Sequence, residues 1–218
     1  MERIICLIIG YAFGLFQTSY IYGKARGIDI RTKGSGNAGT TNALRTLGRK
    51  AGLITLAGDI LKCLAAVLVT WLIFHRTHPD IMKLLGIYTS AGVILGHDYP
   101  FYMGFRGGKG IAATAGMIIA FLDWHLIIVG IICFFVSFFA THYVSLGSLA
   151  LSAGFFIGVV ISGQLGVYGM SQMARNELYI IVGILTAMTF IKHRGNIVRL
   201  FHGTERKTYL GKKHKSDQ

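Results

Sequence analysis

Seven apolar windows dominate the chain, at residues 4–22, 53–74, 84–95, 111–122, 125–140, 146–165 and 178–191. A bilayer crossing uses ~20 apolar residues, so seven crossings consume about 140 of the 218 residues and leave about 78 for everything else. No separate soluble domain fits in that remainder. Charged residues make up only 14% of the chain, against roughly 25% in an ordinary soluble domain. The expectation is a single all-α domain over residues 1–218, folded as a polytopic transmembrane helical bundle of about seven spans, with a flexible basic tail at residues 206–218. Several windows fall short of a full span, and a five-helix bundle with two of the short windows lying in the interface is the alternative. Arg3 and the small-residue triplet Ala12-Phe13-Gly14 resemble a signal peptide and its cleavage site. The apolar stretch continues well past that point, so a retained first helix is expected.

Twenty-two Lys and Arg against nine Asp and Glu give a net charge of +13. In a soluble protein that balance suggests nucleic acid; in a membrane chain it points to a cytoplasmic face and anionic ligands, and no nucleic-acid partner is expected. With seven crossings, residues 24–50, 97–110, 141–145 and 192–218 share one face and hold 17 of the 22 cations. The positive-inside rule makes that face cytoplasmic, with the N-terminus external and the C-terminus cytoplasmic. Cys6, Cys63 and Cys133 lie in apolar runs at irregular spacing, which makes neither a disulfide framework nor a metal site.

The polar chemistry collects in three segments. Residues 34–39 read G-x-G-x-x-G, but without the strand and βαβ unit that a dinucleotide site requires. What survives is a glycine-rich loop whose amides, with the start of a following helix, can cradle a phosphate. Ser35, Thr40, Thr41 and Asn42 add donors there and Arg45 a bidentate charge. Residues 104–110 resemble a Walker A loop with the wrong spacing, and Gly110 stands where Ser or Thr would bind magnesium. Its amides, the helix starting at Ile111 and Lys109 still converge on one point. His193, Arg194, Asn196, Arg199 and Glu205 form a basic juxtamembrane segment that also holds groups able to orient hydroxyls and transfer protons. Two other features are set aside. His75 and Asp80 have the H-x-x-x-x-D spacing of coenzyme-A-dependent acyltransferases but lie on the opposite face, and Asp59 with Lys62, at i, i+3 in the second window, reads as a structural ion pair facing the bundle or the cavity.

Together these segments resemble the bacterial acyl-phosphate:glycerol-3-phosphate acyltransferase family over nearly the whole chain. Residues 35–45 match S-G-N-x-G-x-T-N-x-x-R and residues 193–207 match H-x-x-N-I-x-R-L-x-x-G-x-E-x-K without departure. The second motif is present as Gly96-His97, Pro100 and residues 105–112, with Arg106 for a usual Lys and Ala113 for a usual Thr. Tyr143-Val144-Ser145 resembles the family's short polar loop. The resemblance implies acyl transfer from acyl phosphate to the 1-hydroxyl of sn-glycerol 3-phosphate, giving lysophosphatidic acid and phosphate, in the bacterial cytoplasmic (inner) membrane with the active site on the cytoplasmic face. No metal-ligand spacing appears in the sequence, so no metal is expected, and no cofactor. The partners are the two substrates, membrane lipid and, by functional coupling, an enzyme that supplies acyl phosphate.

Guided by that family, Ser35, Gly36, Asn37, Gly39, Thr41 and Arg45 are expected to hold the acyl-phosphate head, with Asn42 beside them. Glycerol 3-phosphate is assigned to Gly107, Gly108, Lys109 and Gly110, with Ser145 and Arg199 as further binding residues. The catalytic set is Ser35, Arg45, Lys109, His193, Asn196 and Glu205. An acyl phosphate is already activated, so orientation and charge neutralisation carry most of the catalysis. Either His193 or an oxygen of the leaving phosphate takes the hydroxyl proton, and Glu205 fixes His193, Arg199 or Lys207. The competing readings are an organic phosphate transporter, which would place its site near the midplane between paired repeats, and a lipid-binding scaffold, which would not need His193, Asn196 and Glu205 together.

Overall fold

The computed structural model describes residues 1–209, and among these the chain forms ten α-helices. They are α1 (Glu2–Gly14), α2 (Thr18–Lys24), α3 (Thr40–Leu47), α4 (Arg49–Phe74), α5 (Met82–Asp98), α6 (Ile111–Ala120), α7 (Trp124–Thr141), α8 (Val144–Gln164), α9 (Gln172–Lys192) and α10 (Arg194–Phe201). Each apolar window of the sequence is mostly helical. Five segments are long and apolar enough to cross a bilayer: Glu2–Lys24, α4, α7, α8 and α9. Large side chains such as Leu61, Leu68 and Leu72 on α4 and Ile132, Val136 and Phe139 on α7 stand exposed on the outside of the bundle, as a lipid-facing surface requires. The protein is an all-helical, multi-pass membrane bundle.

The windows at 84–95 and 111–122 take a different form from the rest. Helix α5 has 17 residues and is mostly buried. Helix α6 has only ten, so it rises about 15 Å, half of a ~30 Å hydrocarbon core. Its N-cap Gly110 packs against Ile94 and Asp98 in the last turns of α5, and just past its other end the Phe121 carbonyl accepts from Lys83 Nζ at 2.7 Å. A short α6 therefore recesses the glycine-rich loop that precedes it into the bundle.

Close backbone approach joins α1 to α5. A Cβ on Gly10 would stand 1.9 Å from the Thr89 carbonyl oxygen, one on Gly14 2.3 Å from that of Val93, one on Gly92 2.3 Å from that of Leu7 and one on Gly96 2.4 Å from that of Tyr11. Two interlocking Gly-x-x-x-Gly pairs, 10/14 and 92/96, thus bring the helices together, the small-residue packing that replaces hydrophobic drive in lipid. The first window is broken between α1 and α2, and polar groups occupy the freed carbonyls. Gln17 Nε2 donates to Gly14 O, Gly96 O and His97 O, Tyr102 Oη to Leu15 O, and Lys62 Nζ to Phe16 O.

At one end of the bundle Glu177 accepts from Arg3 and from Tyr88 Oη, tying α9 to α1 and α5; His78 approaches Glu2 there. His75 does not meet Asp80: its Nδ1 bonds to Trp71 O, one turn back on its own helix. The segments around residues 29–49, 106–110, 144–145 and 192–209 gather at the other end, around a common cavity. The start of the expected flexible tail is docked there: Thr208 N donates to His142 O at 2.9 Å, and Arg206 O and Thr208 Oγ1 accept from Arg45. Residues 210–218 lie outside the described residues.

Candidate active site

The cavity has a volume of about 1900 Å³, and all sixteen site residues expected from the sequence line it. Its other wall is apolar: Leu53, Leu56 and Ile60 of α4, Ala115, Ile118 and Ile119 of α6, and Ile127, Ile131 and Phe134 of α7. A polar mouth thus continues into a groove suited to a fatty chain. The N-termini of α3 and α6 both open onto the mouth, so two positive helix ends meet on one space.

The first loop is shaped from within by Asn42. Its Oδ1 accepts from Ser35 N at 2.9 Å, and its Nδ2 donates to Ile30 O and Lys33 O, each at 3.1 Å. Those bonds use the side chain's donors, so the Asn42 side chain builds the loop, and only its backbone amide is left for an anion. Gly34 and Gly36 sit at φ of +61° and +71°, in the left-handed region that glycine adopts without strain. The amides of Thr40, Thr41 and Asn42, in the first turn of α3, make no hydrogen bond among the described residues and face the cavity mouth with the Ser35 hydroxyl. Arg45 Nη2 donates to Arg206 O at 3.0 Å and to Thr208 Oγ1 at 2.6 Å, which anchors the C-terminal segment over the site.

The second loop corrects an expectation. Gly107 N donates to Asp98 O at 3.2 Å and Gly108 N to His97 O at 3.0 Å, so these amides are occupied by the end of α5. Past Gly108, the amides of residues 109–113 make no hydrogen bond among the described residues. A Cβ on Gly107 would lie 2.0 Å from His97 O, and one on Gly108 2.0 Å from His97 Nε2. The two glycines are required by packing against α5, and the anion donors begin at Lys109.

Lys109 Nζ donates to Asn196 Oδ1. Asn196 Nδ2 in turn donates to Glu205 Oε1 at 2.6 Å, Ser145 Oγ donates to the same oxygen at 2.9 Å, and Arg199 Nε donates to Glu205 Oε2 at 2.7 Å. Glu205 therefore joins α8, α10 and the C-terminal segment, and of the three partners considered for it the structure selects Arg199. Burial raises the Glu205 carboxyl, but its donors outweigh that and leave it below the ordinary value. Burial pulls Lys109 down to about 8, with Glu205 opposing the fall. Asn196 and Ser145 act within this network, holding Lys109 and Glu205 in place.

His193 is buried at the junction of α9 and α10. Its Nδ1 lies 2.8 Å from Thr189 O. A carbonyl only accepts, so Nδ1 carries the hydrogen and Nε2 is a lone-pair acceptor. Burial, reinforced by the charge of Lys109, lowers the imidazole to about 4, so it is neutral at pH 7. His97, Asp59 and Lys192 also line the cavity, and none was selected as a site residue from sequence. The signals were present in part: Asp59 and Lys62 are charges inside an apolar run, and His97 belongs to the second motif.

A family model described as glycerol-3-phosphate acyltransferase matches residues 4–203. A glycerol-3-phosphate acyltransferase of Clostridioides difficile is 40% identical over 206 residues, covering 94% of each chain. A glycerol-3-phosphate acyltransferase 2 of Thermotoga maritima is 39% identical over 207 residues, covering 94% of this chain and 96% of its own. The crystal structure of PlsY (YgiH), an integral membrane glycerol 3-phosphate acyltransferase, in its glycerol 3-phosphate form superposes with a TM-score of 0.81 at 27% identity over 96% of each chain. Its lysophosphatidic acid form gives 0.79 at the same identity and coverage.

Proposed function

The chain belongs to the glycerol-3-phosphate acyltransferase family, and from that premise we propose that its cavity transfers a fatty acyl group from acyl phosphate to the 1-hydroxyl of sn-glycerol 3-phosphate. The products are lysophosphatidic acid and inorganic phosphate. One observation carries this reading: the starts of α3 and α6, with their unpartnered amides, line one cavity whose other wall is apolar. Two phosphates and one fatty chain are what the substrates bring.

In this reading the acyl-phosphate head lies at Ser35, the α3 amides and Arg45, with its chain along α4, α6 and α7. Glycerol 3-phosphate lies at Lys109 and the α6 amides. The hydroxyl oxygen attacks the acyl carbonyl carbon, a new C–O bond forms, and the bond from that carbon to the phosphate oxygen breaks. His193 Nε2 accepts a hydrogen bond from the hydroxyl and orients it. With its value near 4 the imidazole is a weaker base than a phosphate whose second pKa is roughly 6. A departing phosphate oxygen is therefore the stronger base, and it takes the proton.

In this reading the basic end that holds the site faces the cytoplasm across a bacterial inner membrane, with the N-terminus outside, a reading supported by the 17 cations that the sequence assigns to that face. Water-soluble glycerol 3-phosphate then enters from the cytoplasm, and acyl phosphate from the membrane or from the enzyme that makes it. The test compares lysophosphatidic acid formation from palmitoyl phosphate by purified protein with that by Lys109→Ala and His193→Ala variants of unchanged melting temperature. Transfer is expected to collapse in Lys109→Ala and to fall at least tenfold in His193→Ala. Wild-type rates in both would refute the site.

A further inference from the structure

Behind the second loop lies a buried cluster outside the catalytic network. Lys62 Nζ is 2.8 Å from Phe16 O, 2.8 Å from Asp59 Oδ1 and 2.9 Å from His97 Nδ1. Asp59 also accepts from Thr18 Oγ1 at 3.1 Å. Three acceptors around one nitrogen use all three hydrogens of an ammonium, which has no lone pair to offer. His97 Nδ1 must then be the acceptor, and the ring's hydrogen sits on Nε2. That nitrogen lies directly beside Gly108 and makes no hydrogen bond among the described residues. His97 is 3% exposed and lines the cavity. Its backbone carbonyl meanwhile holds the Gly108 amide.

We infer that His97 is a further substrate-binding residue, kept by Lys62 in the Nε2–H form so that it donates to a phosphate oxygen of glycerol 3-phosphate at the second loop. This rests on the function proposed above and deepens it. A charged lysine held this deep costs free energy unless it is paired. Asp59 supplies the pairing, and the fixed tautomer gives the pair a purpose beyond packing. The result is two histidines of opposite polarity on one cavity: His193 offers a lone pair at Nε2, and His97 offers a hydrogen at the same position. Gly108 is the one residue type that lets the loop descend onto His97 Nε2.

The experiment has a kinetic arm and a spectroscopic arm. His97→Asn keeps an acceptor for Lys62 but loses the donor at the Nε2 position, whereas His97→Gln reaches that position with an amide N–H. His97→Asn is expected to raise the KM for glycerol 3-phosphate by about tenfold or more while leaving the KM for acyl phosphate within about twofold, and His97→Gln is expected to recover most of the loss. Equal defects in both variants, or a shift in the acyl-phosphate KM instead, would overturn the assignment. Lys62→Met frees Asp59 to draw the hydrogen to Nδ1, so it should raise the glycerol 3-phosphate KM in the wild-type background and add little in His97→Gln. Should these variants fail to fold, the wild-type protein with 15N-labelled histidine still decides the matter. The His97 signal, identified by its loss in any purifiable substitution or by its response to inorganic phosphate, should show a protonated Nε2 and a bare Nδ1. A hydrogen on Nδ1 would overturn the inference. Acylation failing in the wild-type protein would instead count against the proposed function itself.

Discussion

Replacing Glu205 by Gln keeps the shape of the network and removes its charge, which makes it the sharpest perturbation of the site. Both carboxylate oxygens now receive donors: Ser145 and Asn196 on one, Arg199 on the other. A carboxamide offers one acceptor oxygen and one NH2, so one side must set donor against donor. If the NH2 faces Asn196, that amide has to flip, and its own NH2 then points at the Lys109 ammonium. The Arg199 contact counts for little, since that side chain is 46% exposed and such pairs are worth about 0–1 kcal/mol. The carboxamide therefore turns its NH2 to Arg199 and keeps its oxygen on half-buried Asn196 and on Ser145, and what is lost is the charge assistance of those bonds, about 1–1.5 kcal/mol as the difference between a hydrogen bond to a charged group and a neutral one. kcat/KM should therefore fall by roughly 5- to 13-fold. A second signature follows from the charge. Glu205 holds the Lys109 value up, against the burial that brings it to about 8. Without that carboxylate Lys109 loses its proton at lower pH, so the alkaline limb of kcat/KM for the free enzyme moves down from about 8. The assay is phosphate release from palmitoyl phosphate by purified protein across pH 6 to 10. A rate within about threefold of wild type and an unmoved alkaline limb would refute the network.

Arg45→Ala and Arg45→Lys should each lose more than about tenfold in activity, because a lysine cannot hold Arg206 O, Thr208 Oγ1 and a phosphate together; near-normal kinetics in Arg45→Lys would reduce Arg45 to general electrostatics. Gly108→Ala drives a methyl to 2.0 Å from His97 Nε2, so it should raise the glycerol 3-phosphate KM and lower the melting temperature together; a raised acyl-phosphate KM at unchanged stability would mean that the loop serves the other substrate. In a chain cleared of Cys6, Cys63 and Cys133, cysteines at the exposed positions Ser35 and Gly203 should resist a membrane-impermeant thiol reagent applied outside intact cells, and one at His78 should react; labelling of the first two from outside would reverse the orientation.

The helices were legible because lipid imposes one rule, long apolar runs, and the windows obey it. The ten-residue α6 was not, since nothing in residues 111–122 says that the chain turns back after Ala120. The break at Gln17 was equally hidden: a buried Gln inside an apolar run finds its partners on α5, about eighty residues away. The two phosphate loops could be found from glycines and cations spaced along the chain. The division of labour within them could not be. Asn42 and Gly108 sit in the motifs like their neighbours, and only three-dimensional partners show that one folds its loop and the other packs on His97. Glu205 had three candidates within reach in sequence, yet two of its partners, Asn196 and Arg199, are fixed by α10, and the third, Ser145, comes from α8. The Lys62–His97 pairing joins residues 35 apart on different helices, and spacing carries no signal for such a contact.

The most direct test of acyl transfer at this cavity uses purified protein in detergent with palmitoyl phosphate, glycerol 3-phosphate and EDTA, following lysophosphatidic acid by mass spectrometry and phosphate in the same samples. The expected result is one phosphate released per lysophosphatidic acid formed, undiminished by the chelator, with palmitoyl-CoA inert as donor. Equal turnover with palmitoyl-CoA, abolition by EDTA, or phosphate release without acylated product would contradict it.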